Sequence, residues 1–296
     1  MEELKEVLAE KIRETEKVIQ NYLPEEAGQQ KRIMEAMNYS IHAGGKRLRP
    51  LLMMETCRLF GGDLREIKPF MAALEMIHTS SLIHDDLPCM DNDEYRRGKK
   101  STWAAFGEAM GVLAGDALLV EAFAAAAKSF LYTANPERAG RAIGILAEKT
   151  GIYGMIGGQV VDVERTNQPL SEEQIDFIYR LKTGALLEAA MMIGAVLAGA
   201  EDKDVKRVSQ IALNVGLAFQ IQDDILDITS SQEVLGKPVG SDEKNQKTTY
   251  ATLKGLEAAR AQVKALSDEA VQEIRALPGT NVFLEKLILM LITREK

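Results

Sequence analysis

Residues 69–91 read PFMAALEMIHTSSLIHDDLPCMD. Met71, Leu74, Ile77, His78 and Leu82 recur at helical spacing, and Pro69 is a residue type that opens helices. The stretch runs into Asp85 and Asp86, with Asp91 beyond Pro88. The same arrangement returns later in the chain. Residues 204–228 have the length and pattern of a long helix and end in Asp223-Asp224-Ile225-Leu226-Asp227. Each cluster sets three carboxylates among Leu, Ile and Met, where ionised groups repel one another and are costly to desolvate. Each also sits at the end of its helix, the pole that disfavours anions. Local stability explains neither cluster. Divalent cations held between the two would explain both, and carboxylate oxygens are the ligands that Mg²⁺ prefers.

The two clusters differ in geometry. Asp223 and Asp227 are four apart and share a helix face, with Asp224 offset by one. Phe219, Ile221, Ile225, Leu226 and Ile228 make the surroundings apolar, which argues against a merely solvated acidic face. Asp85 and Asp91 are six apart and do not align on an ideal helix, so Pro88 must bend or bulge the backbone if both are to face one metal.

Around these two stretches the chain reads as helix throughout. Leu4 to Tyr22 follow helical spacing, and Pro24 is expected to end that helix. A second runs from about Gln30 to Ile41 and stops at Gly44-Gly45. Pro50 is expected to open the next, which ends at Gly61-Gly62. Residues 89–101 read as a polar loop. Helices resume around Trp103 and continue to about Leu131, and Asn135-Pro136 marks a turn. Ser171-Glu172-Glu173-Gln174 fits a capping box. Residues 229–247 read as a loop, Thr248 to Leu277 as one helix, and a last helix follows Pro278-Gly279. No stretch alternates with period two. The expectation is an all-α fold of ten or more helices, organised as one domain over residues 1–296.

Composition narrows the function. The 296 residues are 46% hydrophobic and carry a net charge of −8, which argues against a nucleic-acid partner. Cys57 and Cys89 make neither a metal spacing nor a disulfide framework, which fits a reducing cytoplasm. The opening MEELKEVLAEKIRE is a charged amphipathic helix rather than a signal peptide. Asp116, Glu121, Lys128 and Glu188 interrupt the most apolar windows, so no membrane span is expected.

The cations fall in islands: Lys46, Arg47 and Arg49 after a glycine pair, Arg96-Arg97 after the first cluster, then Lys182-Thr183, Lys237 and Lys247. Arg forks and Lys charges match phosphate oxygens. In an acidic protein, clustered acids and dispersed cations suggest a polyanionic ligand held partly through metal. Two decoys fail. Glu75-Met76-Ile77-His78 is half of a di-iron motif, but neither His42 nor His84 supplies the second half. Gly154 and Gly157-Gly158 follow no strand and precede no Gly-Lys-Ser/Thr, so close helix packing is their expected role.

Taken together, GGKRLRP at 44–50, EMIHTSSLIHDDLPCMDND at 75–93, RRGK at 96–99, GGQVVD at 157–162, KTGALLEAA at 182–190, FQIQDDILD at 219–227 and GKPVGSD at 236–242 resemble the short-chain trans-prenyl diphosphate synthases, the group of farnesyl and geranylgeranyl diphosphate synthases. The resemblance implies a single antiparallel helical bundle around a deep apolar cavity, in a homodimer. It implies that Asp85, Asp86, Asp91, Asp223, Asp224 and Asp227 line the cavity mouth, with Asp85, Asp86, Asp91, Asp223 and Asp227 holding a group of three Mg²⁺ ions that Mn²⁺ can replace. It assigns Arg96, Lys182, Thr183, Gln220 and Lys237 to an allylic diphosphate. Lys46, Arg49, His78 and Arg97 are assigned to isopentenyl diphosphate, and Lys247 becomes a further cation near the metals. The reaction implied is ionisation of the allylic diphosphate, attack by the isopentenyl double bond and loss of a proton. Lys182, Lys237 and the aspartates would carry the catalysis.

Two departures stand out. Lys100-Ser101-Thr102-Trp103 follows RRGK where many relatives continue PTNH. Five residues before Asp85, bacterial farnesyl synthases often carry Tyr or Phe, and here it is Ser80 followed by Ser81. Small residues there leave room for a tail beyond fifteen carbons, unless Phe106, Met110 or Met155 supplies the floor. A class I terpene cyclase is the nearest rival reading, although its second metal motif is usually of an Asn/Ser/Glu type. A non-catalytic subunit of a heteromeric synthase is another, although such subunits typically lose the acidic clusters.

Overall fold

The computed structural model describes residues 2–229 and 248–292. Nearly all ordered elements are helices, which bears out the all-α reading. The chain forms two compact units, Met1–Met54 with Asp63–Ile143, and Glu55–Gly62 with Gly144–Lys296.

The first unit contains α1 (Glu2–Gln20), α2 (Lys31–Ile41), the start of α3 (Leu48–Leu59), α4 (Leu64–Asp85), a hairpin of β1 (Tyr95–Arg96) and β2 (Lys99–Lys100), α5 (Thr102–Phe106), α6 (Glu108–Ala127) and the start of α7 (Pro136–Thr150). Helix α4 packs against α6, α1 and α2. Phe70, Met71, Leu74, Met76 and Ile77 are buried there, each contributing roughly 1.5–3 kcal/mol on removal from water. Gly115 of α6 leaves room for a side chain of α4. A Cβ on Gly115 would lie 2.1 Å from Nε2 of His84.

The second unit contains α8 (Met155–Glu164), α9 (Glu172–Ile178), one π-helical turn (Tyr179–Gly184), α10 (Ala185–Ala198), α11 (Asp202–Thr229), α12 (Tyr250–Lys254), α13 (Leu256–Arg275) and α14 (Val282–Ile292). Helix α11 packs on α10 and α13. The capping box at Ser171 is present in both directions, as its sequence implies.

Several boundaries depart from the sequence reading. Helix α1 ends at Gln20, in the turn before Pro24. Helix α3 begins at Leu48, ahead of Pro50. Helix α4 opens at Leu64, because Asp63 caps the Arg65 N–H at 2.8 Å and starts the helix five residues before Pro69. The proline removes one helical hydrogen bond, and the buried face that follows offsets it. The 248–277 segment is not one helix, and the helices read over 103–131 divide at Gly107. Gly107 and Gly255 adopt φ of 96° and 85° with ψ of 155°, a conformation open to glycine and strained for other residues. Each separates a five-residue helix from a twenty-residue one. The 89–101 segment is also not all loop. Arg97 at φ 54° and Gly98 at φ 77° make a two-residue turn that pairs Tyr95 with Lys100 and Arg96 with Lys99.

Among the described residues, Glu108–Leu131 and Glu172–Ala198 are long and apolar enough to cross a membrane by length and composition. The second is 72% buried within the protein, as a core helix would be, and the first 39%.

Candidate active site

The first aspartate cluster is shaped by a backbone reversal. Helix α4 ends at Asp85, and the chain then doubles back so that the Asp91 N–H donates to the Asp85 carbonyl at 2.8 Å. Asn92, at φ 55°, donates to Leu87, and Asp93 donates to Asp86. This is the bend that the six-residue spacing requires, and it brings the backbones of Asp85 and Asp91 together. Asp85 is half-buried and Asp91 exposed, whereas Asp86 is buried. Arg96, reaching from β1, donates its Nε to Oδ1 of Asp86 at 2.6 Å, and its Nη2 also lies 3.6 Å from Asp93. Burial raises the Asp86 pKa, and the Arg96 bond opposes that rise.

The hairpin carrying Arg96 and Arg97 is fastened at several points. Tyr39 donates its hydroxyl to the Lys100 carbonyl at 2.8 Å, the Ser40 and Thr102 hydroxyls lie 2.7 Å apart, and Trp103 donates Nε1 to the Asp93 carbonyl at 3.0 Å. Lys100, Thr102 and Trp103 thus help to hold the loop. Arg97 turns the other way and donates to the Gly44 carbonyl. Gly45, at φ 147°, leaves room for that guanidinium, which a Cβ there would meet at 2.7 Å.

Arg97 joins a cationic group around His78. Burial first, and then Arg49, Arg97, Arg47 and Arg96, hold the His78 imidazole well below the ordinary value of 6.5, so the ring is neutral at pH 7. Burial lowers the pKa of Arg49 and Arg97 as well, with Glu75 opposing in both. The sequence-assigned residues Arg49, His78 and Arg97 therefore share one positive field, with Lys46 exposed on the adjoining turn. Arg47 is committed elsewhere. It is buried at φ 50°, donates Nη1 to Glu75 at 2.7 Å and Nη2 to the Ile41 carbonyl at 2.7 Å, and lies 3.7 Å from Glu16. Glu75 is buried and carries that pair, a role its place in a failed di-iron motif did not suggest.

In the second unit the π turn Tyr179–Gly184 presents Lys182 and Thr183. Such single π turns are frequent at functional sites. Two glycines admit it. A Cβ on Gly158 would lie 2.3 Å from the Lys182 backbone nitrogen, and one on Gly216 would lie 2.8 Å from Cα of Gly184. The packing role read for Gly157-Gly158 is thus realised at Gly158. Lys182 donates Nζ to Asp162 at 2.6 Å, and Thr183 donates Oγ1 to Gln220 at 3.0 Å. Gln220 stands one turn before Asp224 on α11, the helix whose Asp223 is half-buried and whose Asp224 and Asp227 are buried. Tyr179 donates its hydroxyl to Oδ2 of Asp224 at 2.6 Å. Lys237 and Lys247 lie outside the described residues.

Asp162, Tyr179 and Glu75 are the participants that residue-by-residue reading passed over. The last residue of GGQVVD and a tyrosine three before Lys182 were both visible, but their partners are 20 and 45 residues away. Ser80 is buried and Ser81 half-buried, and their hydroxyls bond back to the Ile77 and His78 carbonyls at 3.1 and 2.9 Å. Phe106 stacks edge-on to Tyr39 at 5.3 Å, with Arg32 over its ring at 4.5 Å.

A family model described as polyprenyl synthetase matches residues 30–277. The chain belongs to the polyprenyl synthetase family. The resemblance read from its motifs is borne out. A dimethylallyltranstransferase of Fischerella ambigua is 43% identical over 98% of this chain and 84% of its own length. Among solved structures, an FPP/GFPP synthase from Zymomonas mobilis has a TM-score of 0.85 at 34% identity, covering 99% of both chains. A geranyltransferase from Helicobacter pylori, solved with magnesium and isoprenyl diphosphate, has a TM-score of 0.83 at 31% identity, covering 97% of this chain and 95% of its own. Both aspartate clusters of this polyprenyl synthetase, Asp85–Asp91 and Asp223–Asp227, lie within the matched residues.

Proposed function

We propose that this chain is a Mg²⁺-dependent trans-prenyltransferase that condenses isopentenyl diphosphate with allylic diphosphates (dimethylallyl, geranyl or farnesyl) in isoprenoid biosynthesis. One observation carries the reading. In each unit an aspartate pair is bonded to an element that bears phosphate-matching side chains: Asp86 to Arg96 of the hairpin, and Asp224 through Tyr179 to the turn bearing Lys182 and Thr183.

The donor set fits magnesium. It consists of hard carboxylate oxygens, Asp223 and Asp227 one turn apart on α11 and Asp85 and Asp91 drawn together by the backbone reversal. Among the described residues no group of three His, Cys, Asp or Glu is arranged to hold a metal ion. Mg²⁺ commonly takes one or two carboxylates and completes its shell with water and substrate phosphates. Asp85, Asp86, Asp91, Asp223 and Asp227 would hold it, as three ions with Mn²⁺ an acceptable substitute. Bound there, it would neutralise charge developing on the leaving pyrophosphate.

The chain's own residues divide the remaining work. Arg96, Lys182, Thr183, Gln220 and Lys237 bind the allylic diphosphate, and Lys247 adds positive charge. Lys46, Arg49, Arg97 and neutral His78 hold isopentenyl diphosphate with its double bond toward the allylic carbon. The C–O bond of the allylic diphosphate breaks with its electron pair leaving on pyrophosphate. The isopentenyl double bond then forms the new C–C bond, and a proton departs to restore an alkene. Apolar surroundings keep water from the cation.

The whole chain, residues 1–296, acts as one catalytic domain, in a cytoplasmic homodimer. Val112, Leu113 and Val120, with Phe130 and Leu131 just beyond α6, expose apolar side chains that a second copy would cover. The product favoured is twenty carbons long, with farnesyl diphosphate the runner-up, because Ser80 lies about 7.5 Å along the helix from Asp85 and is small. The test is incubation with Mg²⁺, isopentenyl diphosphate and each starter, with products identified by length. Wild type should make prenyl diphosphates, and Ser80→Tyr should shift them toward fifteen carbons at undiminished condensation. No prenyl product would sink the reaction class, and identical product distributions would remove Ser80 from the floor.

The division of the arginines is separately testable. Arg96→Ala should raise the allylic KM more than the isopentenyl KM, and Arg97→Ala the reverse. Equal weakening of both substrates in both variants would show the assignment to be wrong.

A further inference from the structure

The mechanism gives the buried Tyr179 hydroxyl no task. Tyr179 is the first residue of the π turn and is 6% exposed. Its hydroxyl donates to Oδ2 of Asp224 at 2.6 Å, and Asp224 is 2% exposed. The same Oδ2 accepts the backbone N–H of Tyr250 at 3.1 Å, and that N–H also lies 3.4 Å from the Tyr179 hydroxyl. Tyr250 opens α12 directly after Thr249, whose side chain and that of Thr252 make a reciprocal capping box. Three chain segments therefore meet on one carboxylate oxygen. The first is the turn carrying Lys182 and Thr183. The second is α11, carrying Asp223 and Asp227. The third is the start of α12 at Tyr250.

The side-chain directions give this junction its meaning. Asp224 follows Asp223 by one residue, so its side chain leaves α11 about 100° around the axis from that of Asp223. It is bonded to the protein's own donors, in a buried setting where the hydrogen bond of a carboxylate to a phenol is strong and short. The π turn, with its i→i+5 bonding, departs from the regular helical pattern of α9 and α10 on either side. Gly158 and Gly216 make room for it, but a glycine contact supplies no direction.

We propose that Tyr179 and Asp224 are positioning residues: the Tyr179–Asp224–Tyr250 junction sets Lys182 and Thr183 at a fixed height relative to Asp223 and Asp227, so that the pyrophosphate leaving group meets cations and metal-binding carboxylates in register. This deepens the proposed function and rests on it. It moves Asp224 from contact with the reacting groups to alignment of the residues that make contact.

The test compares Tyr179→Phe, Asp224→Asn and the double variant with wild type, using inorganic pyrophosphate as a competitor of the allylic substrate. Pyrophosphate stands for the leaving group, and its inhibition constant does not depend on the fraction of protein folded. Each single variant should raise that constant, and lower kcat, by about tenfold, since misplacing a contact by about 1 Å can cost up to 100-fold. The KM for isopentenyl diphosphate, assigned to first-unit residues, should stay within about twofold, and the double variant should be no worse than the worse single one, as coupled residues are. If Asp224→Asn does not fold, Tyr179→Phe decides by the same inhibition constant. Variants indistinguishable from wild type, equal shifts in both substrates, or additive losses would each overturn the junction while leaving the reaction class intact. A wild type that makes no prenyl product would instead overturn the reading beneath it.

Discussion

Asp85→Ala and Asp223→Ala should each lower turnover by roughly 100- to 1,000-fold at saturating Mg²⁺, the usual loss when one preorganised electrostatic stabiliser of a transition state is removed. Asp85 is half-buried at the end of α4 and is closed onto Asp91 by a backbone bond, and Asp223 is half-buried on α11 one turn from Asp227. Neither is where a carboxylate would be placed for stability, so folding should survive the change and the loss should fall on chemistry. Steady-state rates with isopentenyl and geranyl diphosphate, beside thermal unfolding, check this. Near-normal turnover in either variant would remove that residue from the metal-binding set.

Glu75→Ala should do the opposite: a large loss of stability whose cause lies in the first unit. The Arg47 and Glu75 side chains are each 3% exposed and 2.7 Å apart. Removing one partner of a buried pair leaves the other charge uncompensated, at a cost of about 3–5 kcal/mol. Here Arg47 would be left beside Arg49 and Arg97, whose charges Glu75 also balances. Replacing the pair together, as Arg47→Met with Glu75→Leu, should recover much of the loss, because two apolar side chains need no compensation. Urea unfolding of the three proteins decides it. A Glu75→Ala midpoint equal to that of wild type would mean that the Ile41 carbonyl and Glu16 suffice for Arg47.

Much of this enzyme is legible without coordinates. The helices follow from apolar spacing, and their type held at every long segment, since a 3.6-residue period sustained over many residues has one physical solution. The capping box at Ser171 is local chemistry and appears as read. Boundaries were less legible. At Asp63 a side-chain cap competed with Pro69 as the start of α4 and won. At Gly107 and Gly255 the apolar pattern runs through a break that only the backbone angle reveals. The Arg97-Gly98 turn is short enough that no alternating pattern announces its two-residue strands.

For the site, the sequence by itself determined the residue types, which make two carboxylate clusters that are costly to desolvate in apolar helices, and its motifs pointed to the family. It could also state that Asp85 and Asp91 needed a bend. The tertiary structure decided which partners each charge takes. It supplied the reversal at Pro88, gave Asp86 to Arg96 and Lys182 to Asp162, committed Arg47 to Glu75, and drew Tyr179, Asp224 and Tyr250 onto one oxygen. The physical reason is range. Helix periodicity and caps act within about four residues, whereas these pairs join side chains 10 to 45 residues apart, and only the packed chain brings them within the 3 Å or so at which a hydrogen bond forms.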